Sequence, residues 1–254
     1  MRNLDFPNEN LKFVTPPPTD GDARALAAVR AIEVLYPGER LWPVADDRQE
    51  SSSIADRDRF VEAHAGRVTV SNRRNTRDER VSISFRDFGF THGRSKTPFG
   101  EGSLELPEAT CAPSSVATTV LVLGETFNAY WGDFTPEEAR YALLDQVVWP
   151  NGKPKPLPFD LPPLGAPPTL ASIDVPRRLG WINFWSPATC ALLGFPDATR
   201  DARWLRGAKQ GKSGAWVVRL TDDMLDPERN PEHVKALHEA YARFPEVGGR
   251  VEPR

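Results

Sequence analysis

Arg178-Leu179-Gly180-Trp181-Ile182-Asn183-Phe184-Trp185-Ser186-Pro187 is the stretch on which the reading of this fold turns. Its apolar and aromatic run from Leu179 to Trp185 predicts a strand. Ser186 then Pro187 predicts that this strand passes straight into a helix, with a cap followed by the first helical position. Strand alternation puts Trp181, Asn183 and Trp185 on one face, and Ile182 and Phe184 on the other. A buried tryptophan here packs the core, whereas an exposed one anchors an interface.

Toward the C-terminus, Ala215–Leu220 reads as another strand, and Asn230-Pro231-Glu232 opens a last helix. Val234, Leu237, Tyr241 and Phe244 form its buried face, and Pro245 and Gly248-Gly249 end it. Toward the N-terminus, Ala129-Tyr130-Trp131-Gly132 reads as a short buried strand or turn. Thr135-Pro136-Glu137-Glu138 starts a helix running to about Val147, with Thr135 as cap and Glu138 completing a capping box. Val116, Val120, Leu123 and Phe127 share one helix face. Ala25, Val29, Ile32 and Tyr36 mark another helix, opened by Asp20 or Asp22 and stopped by Pro37-Gly38. Between these lie a strand at Leu41–Val44, a short helix at Asp56–His64, strands around Val68–Val70 and Val81–Phe85, a loop over Phe88–Gly102 and a strand at Leu104–Leu106. Strands and helices do not alternate regularly. The expected fold is therefore α+β, a mainly antiparallel sheet flanked by helices, rather than a doubly wound parallel sheet. Residues 1–20 are expected to be a polar tail with one short strand at Leu11–Val14, and residues 21–250 a single domain.

The chain has 254 residues, long enough for one sizeable core without staples. Proline contributes 25 of them, about twice the usual share. Eight fall in 150–169, which excludes helix or central strand there. Leu157, Phe159, Leu161 and Leu164 give that segment apolar anchors, so it reads as a strap over the body rather than a free linker. A net charge of -3 argues against a dedicated nucleic-acid binder. No apolar run approaches membrane-spanning length, and the N-terminus lacks a signal-peptide core, so a cytoplasmic protein is expected. Cys111 and Cys190 lack metal or redox spacing and read as reduced, partly buried thiols.

No motif names a chemistry. Gly207-Ala208-Lys209-Gln210-Gly211-Lys212-Ser213 mimics a phosphate-binding loop, but one residue is missing from its spacing and a strand follows where a helix should. It reads as a glycine-rich connection. His64, His92, His233 and His238 show no metal spacing and read as surface or cap residues. No serine elbow occurs, and spacing singles out no acid/base pair. No catalytic residue, metal ligand or cofactor is expected. Charge is uneven, however. Thr221–Glu246 carries Asp222, Asp223, Asp226, Glu228, Glu232, Glu239 and Glu246 against Arg229, Lys235 and Arg243, a net of -4. Such a segment is either a solvated helix face or a patch that steers a basic partner.

Two aromatic segments carry a family resemblance. AYWGDFTPEEA at 129–139 and RLGWINFWS at 178–186 resemble the two hallmarks of the immunity protein 52-like family. The stretch 213–250 also resembles a related myxobacterial family of unknown function. The resemblance implies a non-catalytic antidote that binds a cognate bacterial toxin in the cytoplasm, the toxin often bearing a restriction-endonuclease-like nuclease domain. Candidate partner-binding residues are then Tyr130, Trp131, Asp133, Trp181, Asn183 and Trp185, together with Asp222, Asp223 and Asp226. An enzyme with an unrecognised site, or a bacterial interaction or regulatory protein, is the alternative.

Overall fold

The structure, a computed structural model, describes residues 11–19, 21–44, 53–72, 80–88, 98–107, 112–148, 156–165 and 172–249. Among them, β1 (Leu11–Thr15), β2 (Trp42–Pro43), β3 (Arg67–Ser71), β4 (Ser82–Phe88), β5 (Phe99–Glu105) and β6 (Trp131–Phe134) belong to one sheet. So do β9 (Ile182–Trp185), β10 (Lys209–Gln210) and β11 (Trp216–Arg219), while β7 (Val147–Val148) and β8 (Leu164–Gly165) pair separately in parallel. The large sheet runs in the order β10-β11-β9-β6-β1-β5-β4-β3-β2, with every pairing antiparallel. The α+β expectation holds.

The short strand expected at Leu11–Val14 forms as Leu11–Thr15. That segment is the central strand, hydrogen-bonded to β5 on one side and β6 on the other. Leu11, Phe13 and Thr15 are fully buried. Residues 1–10 and Asp20 lie outside the described residues, as do Cys111 and half of the prolines of 150–169. The expected loop at 88–102 is corrected at its end, because β5 begins at Phe99 and uses its glycines inside the sheet. Gly102 leaves room for the Phe127 ring, where a Cβ would fall 2.7 Å from it.

One face of the sheet is covered by α1 (Arg24–Leu35) and α3 (Pro113–Thr126). Ala25, Leu26, Val29 and Ile32 form the buried stripe of α1. Asp22 opens α1 by accepting the Arg24 N–H at 2.9 Å. Burial pushes up the pKa of Asp22, but its hydrogen bonds to Arg24 outweigh that and hold it below the ordinary carboxylate value. Phe13, Phe85, Phe127 and Phe184 make the aromatic centre of this layer. Close approach of α3 to β9 requires Gly124, where a Cβ would lie 2.3 Å from the Phe184 ring.

The opposite face, over β6, β9 and β11, is covered by α5 (Pro187–Leu193), α6 (Ala202–Leu205) and α7 (Pro231–Arg243). Ser186 caps α5 by accepting the Thr189 N–H, and Asn230 caps α7 by accepting the Glu232 N–H. Trp185 meets Phe195 and Phe244 edge-on at 5.2 and 5.0 Å. Arg243 ties the three helices together by gripping the Asp201 carboxylate through two nitrogens and donating to the Leu193 and Gly194 carbonyls. The remaining helix near the sheet margin, α2 (Ile54–Ala63), is held by the buried Arg57, which pairs with Glu33 and Asp58.

The helix expected from Thr135 to Val147 is shorter. It forms α4 (Glu137–Ala142), then a 3-10 turn at Leu144–Gln146, then β7. Thr135 does not cap it, since its hydroxyl donates to Asp133. The described part of the Pro-rich segment lies against this region and α7. Gln146 donates to the Pro162 carbonyl, Gly165 N–H to the Gly248 carbonyl, and His238 meets the Phe159 carbonyl.

Candidate functional site

The register between β6 and β9 sets Trp131 opposite Trp185 and Asp133 opposite Asn183. Alternation then places all four on the face that carries α5–α7. Trp131 is 4% exposed, and Trp181 and Trp185 are 0% exposed, which decides against direct contact with a partner. Their indoles are engaged internally. Trp131 Nε1 donates to the Ile173 carbonyl at 2.9 Å, and Trp181 Nε1 to the Thr221 carbonyl at 3.0 Å. Of the two readings of these tryptophans, core packing holds, and their candidacy as exposed interface anchors is corrected. Because helices cover this face too, the inward position of each strand becomes core. Tyr130, just before β6, is half-buried. Its carbonyl receives the Ser186 N–H and the Thr189 hydroxyl, and burial, aided by Asp174, raises its phenol pKa.

Asp133 and Asn183 are buried polar groups at the centre of a network. Asp133 Oδ2 accepts from Arg178 Nε at 3.0 Å and from the Thr135 hydroxyl at 2.9 Å. Burial would lower the pKa of Arg178, but Asp133 outweighs it and holds the value above the ordinary one. Asn183 bridges both backbone groups of Gly180, accepting its N–H and donating to its carbonyl, each at 2.9 Å. Gly180 has to be glycine, because a Cβ would lie 2.8 Å from the Phe134 carbonyl oxygen. The Tyr241 hydroxyl accepts the Leu179 N–H and donates to Gln146. Burial drives the Tyr241 phenol up to about 12. The network therefore joins β6, β9, the 176–181 segment, α7 and the Pro-rich segment through groups that satisfy one another.

The acidic residues occupy the same end of the sheet, outside it. Phe134, Ile182 and Arg219 are aligned across β6, β9 and β11, and the chain leaves β11 directly into Thr221–Asp226. Asp222 and Asp223 are exposed and Asp226 is half-buried. Asp222 pairs with Arg219 at 2.8 Å, and Asp226 with Arg229 at 3.8 Å. Asp223 and Glu228 have no ion-pair partner among the described residues. His233, expected at the surface or at a cap, is buried beside the α7 cap residue Asn230 and anchors this loop by accepting the Asp226 N–H at 2.9 Å.

The phosphate-loop mimic is occupied from within. Glu125 accepts from both the N–H and the hydroxyl of Ser213, each at 2.9 Å, and a Cβ on Gly211 would strike its carboxylate. The segment is a β10–β11 turn clamped to α3, as the missing residue in its spacing predicts. Burial pushes the Cys190 thiol up to about 12 and away from reactivity. A core cavity lined by Val29, Val70, Ile83 and Phe127 measures about 10 Å³, room for roughly one water. Among the described residues, no three His, Cys, Asp or Glu side chains gather as a metal site would require. No helix among them is long and apolar enough to cross a membrane.

A family model described as a domain of unknown function, DUF5953, matches residues 20–252. The chain belongs to that family. No curated protein matches it. Among solved structures, its fold is similar to the Pseudomonas aeruginosa T6SS protein PA0821, at 10% identity and a TM-score of 0.55 over 93% of this chain and 75% of that one. At that identity the likeness concerns the fold. In this DUF5953 chain, sequence reasoning missed Arg178 as the partner of Asp133, His233 as that of Asp226, and Tyr241 and Gln146 as members of the surrounding network. One signal was available. Asp133 lies two residues beyond Trp131 on the same face of a strand, so a buried Trp131 implies a buried carboxylate that needs a cation.

Proposed function

We propose that this chain is a non-catalytic antidote that binds and neutralises a cognate bacterial toxin protein in the producing cell. The observation that carries the reading is the pair of aromatic segments resembling the immunity protein 52-like family. The fold's similarity to a T6SS protein supports it. In this reading Trp131, Trp181, Trp185, Asp133 and Asn183 serve the partner indirectly, by holding rigid the sheet end from which Asp222, Asp223 and Asp226 project. An exposed acidic loop on a rigid base suits a basic partner such as a nuclease domain, because opposite charge speeds encounter and fixes orientation. Neither cofactor nor nucleic acid takes part.

The test is co-expression with the toxin-domain proteins encoded beside its gene. Protection of the host and a purified complex are the expected results. Asp223→Lys combined with Glu228→Lys should weaken the complex about tenfold, mainly through the association rate at low salt. Absence of both protection and complex with every neighbouring toxin would overturn the reading.

A further inference from the structure

Of His64, His233 and His238, the described histidines, His233 alone faces hydrogen-bond donors. His64 Nδ1 meets the Phe60 carbonyl and His238 Nε2 the Phe159 carbonyl, so both rings keep those contacts when charged. His233 Nδ1 lies 2.9 Å from the Asp226 backbone nitrogen, and its Nε2 lies 3.1 Å from the Asn230 side-chain nitrogen. A neutral imidazole offers one lone pair and one N–H. The Asp226 N–H is a donor in every state, so Nδ1 must carry the lone pair. The proton then sits on Nε2 and points at Asn230. Asn230 turns its nitrogen that way because its oxygen caps α7, accepting the Glu232 N–H at 3.0 Å. The neutral ring thus holds Asp226 well and Asn230 poorly. A protonated ring holds neither, since its Nδ1–H and the Asp226 N–H point at each other.

That contact is where the acidic loop is fastened. The chain leaves β11 at Thr221, whose carbonyl takes the Trp181 indole N–H, and is tied to α7 through Asp226. Between these points Leu225 is buried, while Asp222 and Asp223 are exposed. His233 is 6% exposed, so little water reaches the ring to replace a lost partner. On the loop, Asp226 accepts the Arg229 N–H at 3.1 Å and pairs with the Arg229 guanidinium, while Asp223 and Glu228 have no ion pair among the described residues. On α7, Glu232 pairs with Lys235. On β11, Arg219 pairs with Asp222. In the 176–181 segment Arg178 pairs with Asp133, and Arg177 lies over Phe99 and Trp131. None of these charges forms an ion pair with His233 among the described residues. A charged ring that swings out of its site finds carboxylates on both the loop and α7.

We propose that His233 is an acid-operated latch on the loop Thr221–Glu228: the neutral ring pins Asp226, and the protonated ring lets it go. Histidine is the side chain that ordinarily changes charge between about pH 5 and 8, so mild acid is the trigger. A pinned loop presents Asp222 and Asp223 in one arrangement, whereas an unpinned loop has first to be ordered by whatever binds it. One consequence rests on the antidote reading: a basic partner is held near neutrality and released under acid.

The latch is tested on the full chain alone, so its failure is separate from failure of the antidote reading. NMR follows the ring nitrogens of His233 and the Asp226 backbone amide from pH 7.5 to pH 5. At pH 7.5 Nε2 should carry the proton and Nδ1 none. As the ring gains its second proton, the hydrogen-exchange protection of the Asp226 amide, corrected for the intrinsic rate, should fall about tenfold. Titration of His64 and His238 should leave it unchanged. His233→Asn puts a carbonyl oxygen in the place of Nδ1 and does not titrate, so protection should persist at pH 5. His233→Ala should lose it at every pH. The proposal is overturned by a proton on Nδ1 at pH 7.5, by a ring that stays neutral down to pH 5, or by an Asp226 amide that does not follow the ring. Equal loss of protection in His233→Asn, or its survival in His233→Ala, overturns it too. A complex with a toxin should dissociate about tenfold faster at pH 5 than at pH 7.5, and His233→Asn should remove that difference. A working latch without the difference would count against the acidic loop as the docking surface and not against the latch.

Discussion

Two polar regions meet at one end of the sheet and are built on opposite terms. The Asp133–Arg178–Asn183–Tyr241 network lies inside, each group answered by another. The Thr221–Glu228 loop lies outside, a single indole hydrogen bond from Trp181 away, and leaves Asp223 and Glu228 without an ion pair among the described residues. Buried polar groups must be satisfied, so the first region is committed to the fold. Exposed charges cost little to leave open, so the second is available for binding. Residues that look alike in the sequence, Asp133 and Asp223, therefore hold different offices.

The comparison is broken most sharply at Asp133. Asp133→Ala leaves Arg178 with no carboxylate and the Thr135 hydroxyl with no acceptor. The expected loss is about 3 kcal/mol, the low end for a broken buried pair because Arg178 keeps some solvent contact. Urea denaturation measures it. A loss under about 1 kcal/mol would place Asp133 with the surface charges.

Tyr241 sharpens the same side with a smaller effect. Tyr241→Phe strands the Leu179 N–H and should cost about 1–2 kcal/mol at neutral pH. It should also change the alkaline behaviour. The folded phenol sits at about 12 against an ordinary value of 10.0, so between those values the unfolded chain gives up its proton first. The stability tied to this group is thus complete below pH 10 and is lost as pH rises toward 12. Cys190, raised from 9.0 to about 12, adds a decline that starts earlier. Denaturation curves taken from pH 9 to 12 should fall less steeply for Tyr241→Phe than for the unmodified chain. Parallel curves would mean that the phenol is not held in the protonated state by burial.

The difference between the regions also explains what could be read in advance. Trp181, Ile182, Phe184 and Trp185 announce a strand through their side chains alone, and Ser186-Pro187 announces the helix after it, so β9 and α5 were legible. The direction of Trp131 and Trp185 was not. Alternation says which residues share a face, but whether that face is covered depends on where α5 and α7 pack. The strand at Leu11–Val14 was legible, but its central place was not, because that depends on β5 and β6, which are remote in sequence. Arg178 as the partner of Asp133, and Tyr241 as that of Leu179, were invisible for the same reason. The acidic loop was legible as charge, but the ion pairs Arg219–Asp222 and Arg229–Asp226, which reduce it to Asp223 and Glu228, emerge only in the fold.

The smallest expected effect tests the outer region. Asp223→Lys with Glu228→Lys should change stability by no more than about 0.5 kcal/mol, the usual range for exposed positions without specific partners. Neither residue lies in a helix, and neither carries an ion pair among the described residues. Glu232→Lys is the informative neighbour. It reverses a charge of the same sign a few residues on, but in the first turn of α7, where the helix dipole favours an acid, and it breaks the 3.6 Å pair with Lys235. It should cost about 0.5–1 kcal/mol. A double variant that costs less than Glu232→Lys alone shows that acidity in this segment matters to the fold only where the backbone uses it. If the double variant instead costs over 1 kcal/mol, Asp223 and Glu228 are structural after all. The loop would then have to be counted with the network beneath it rather than against it.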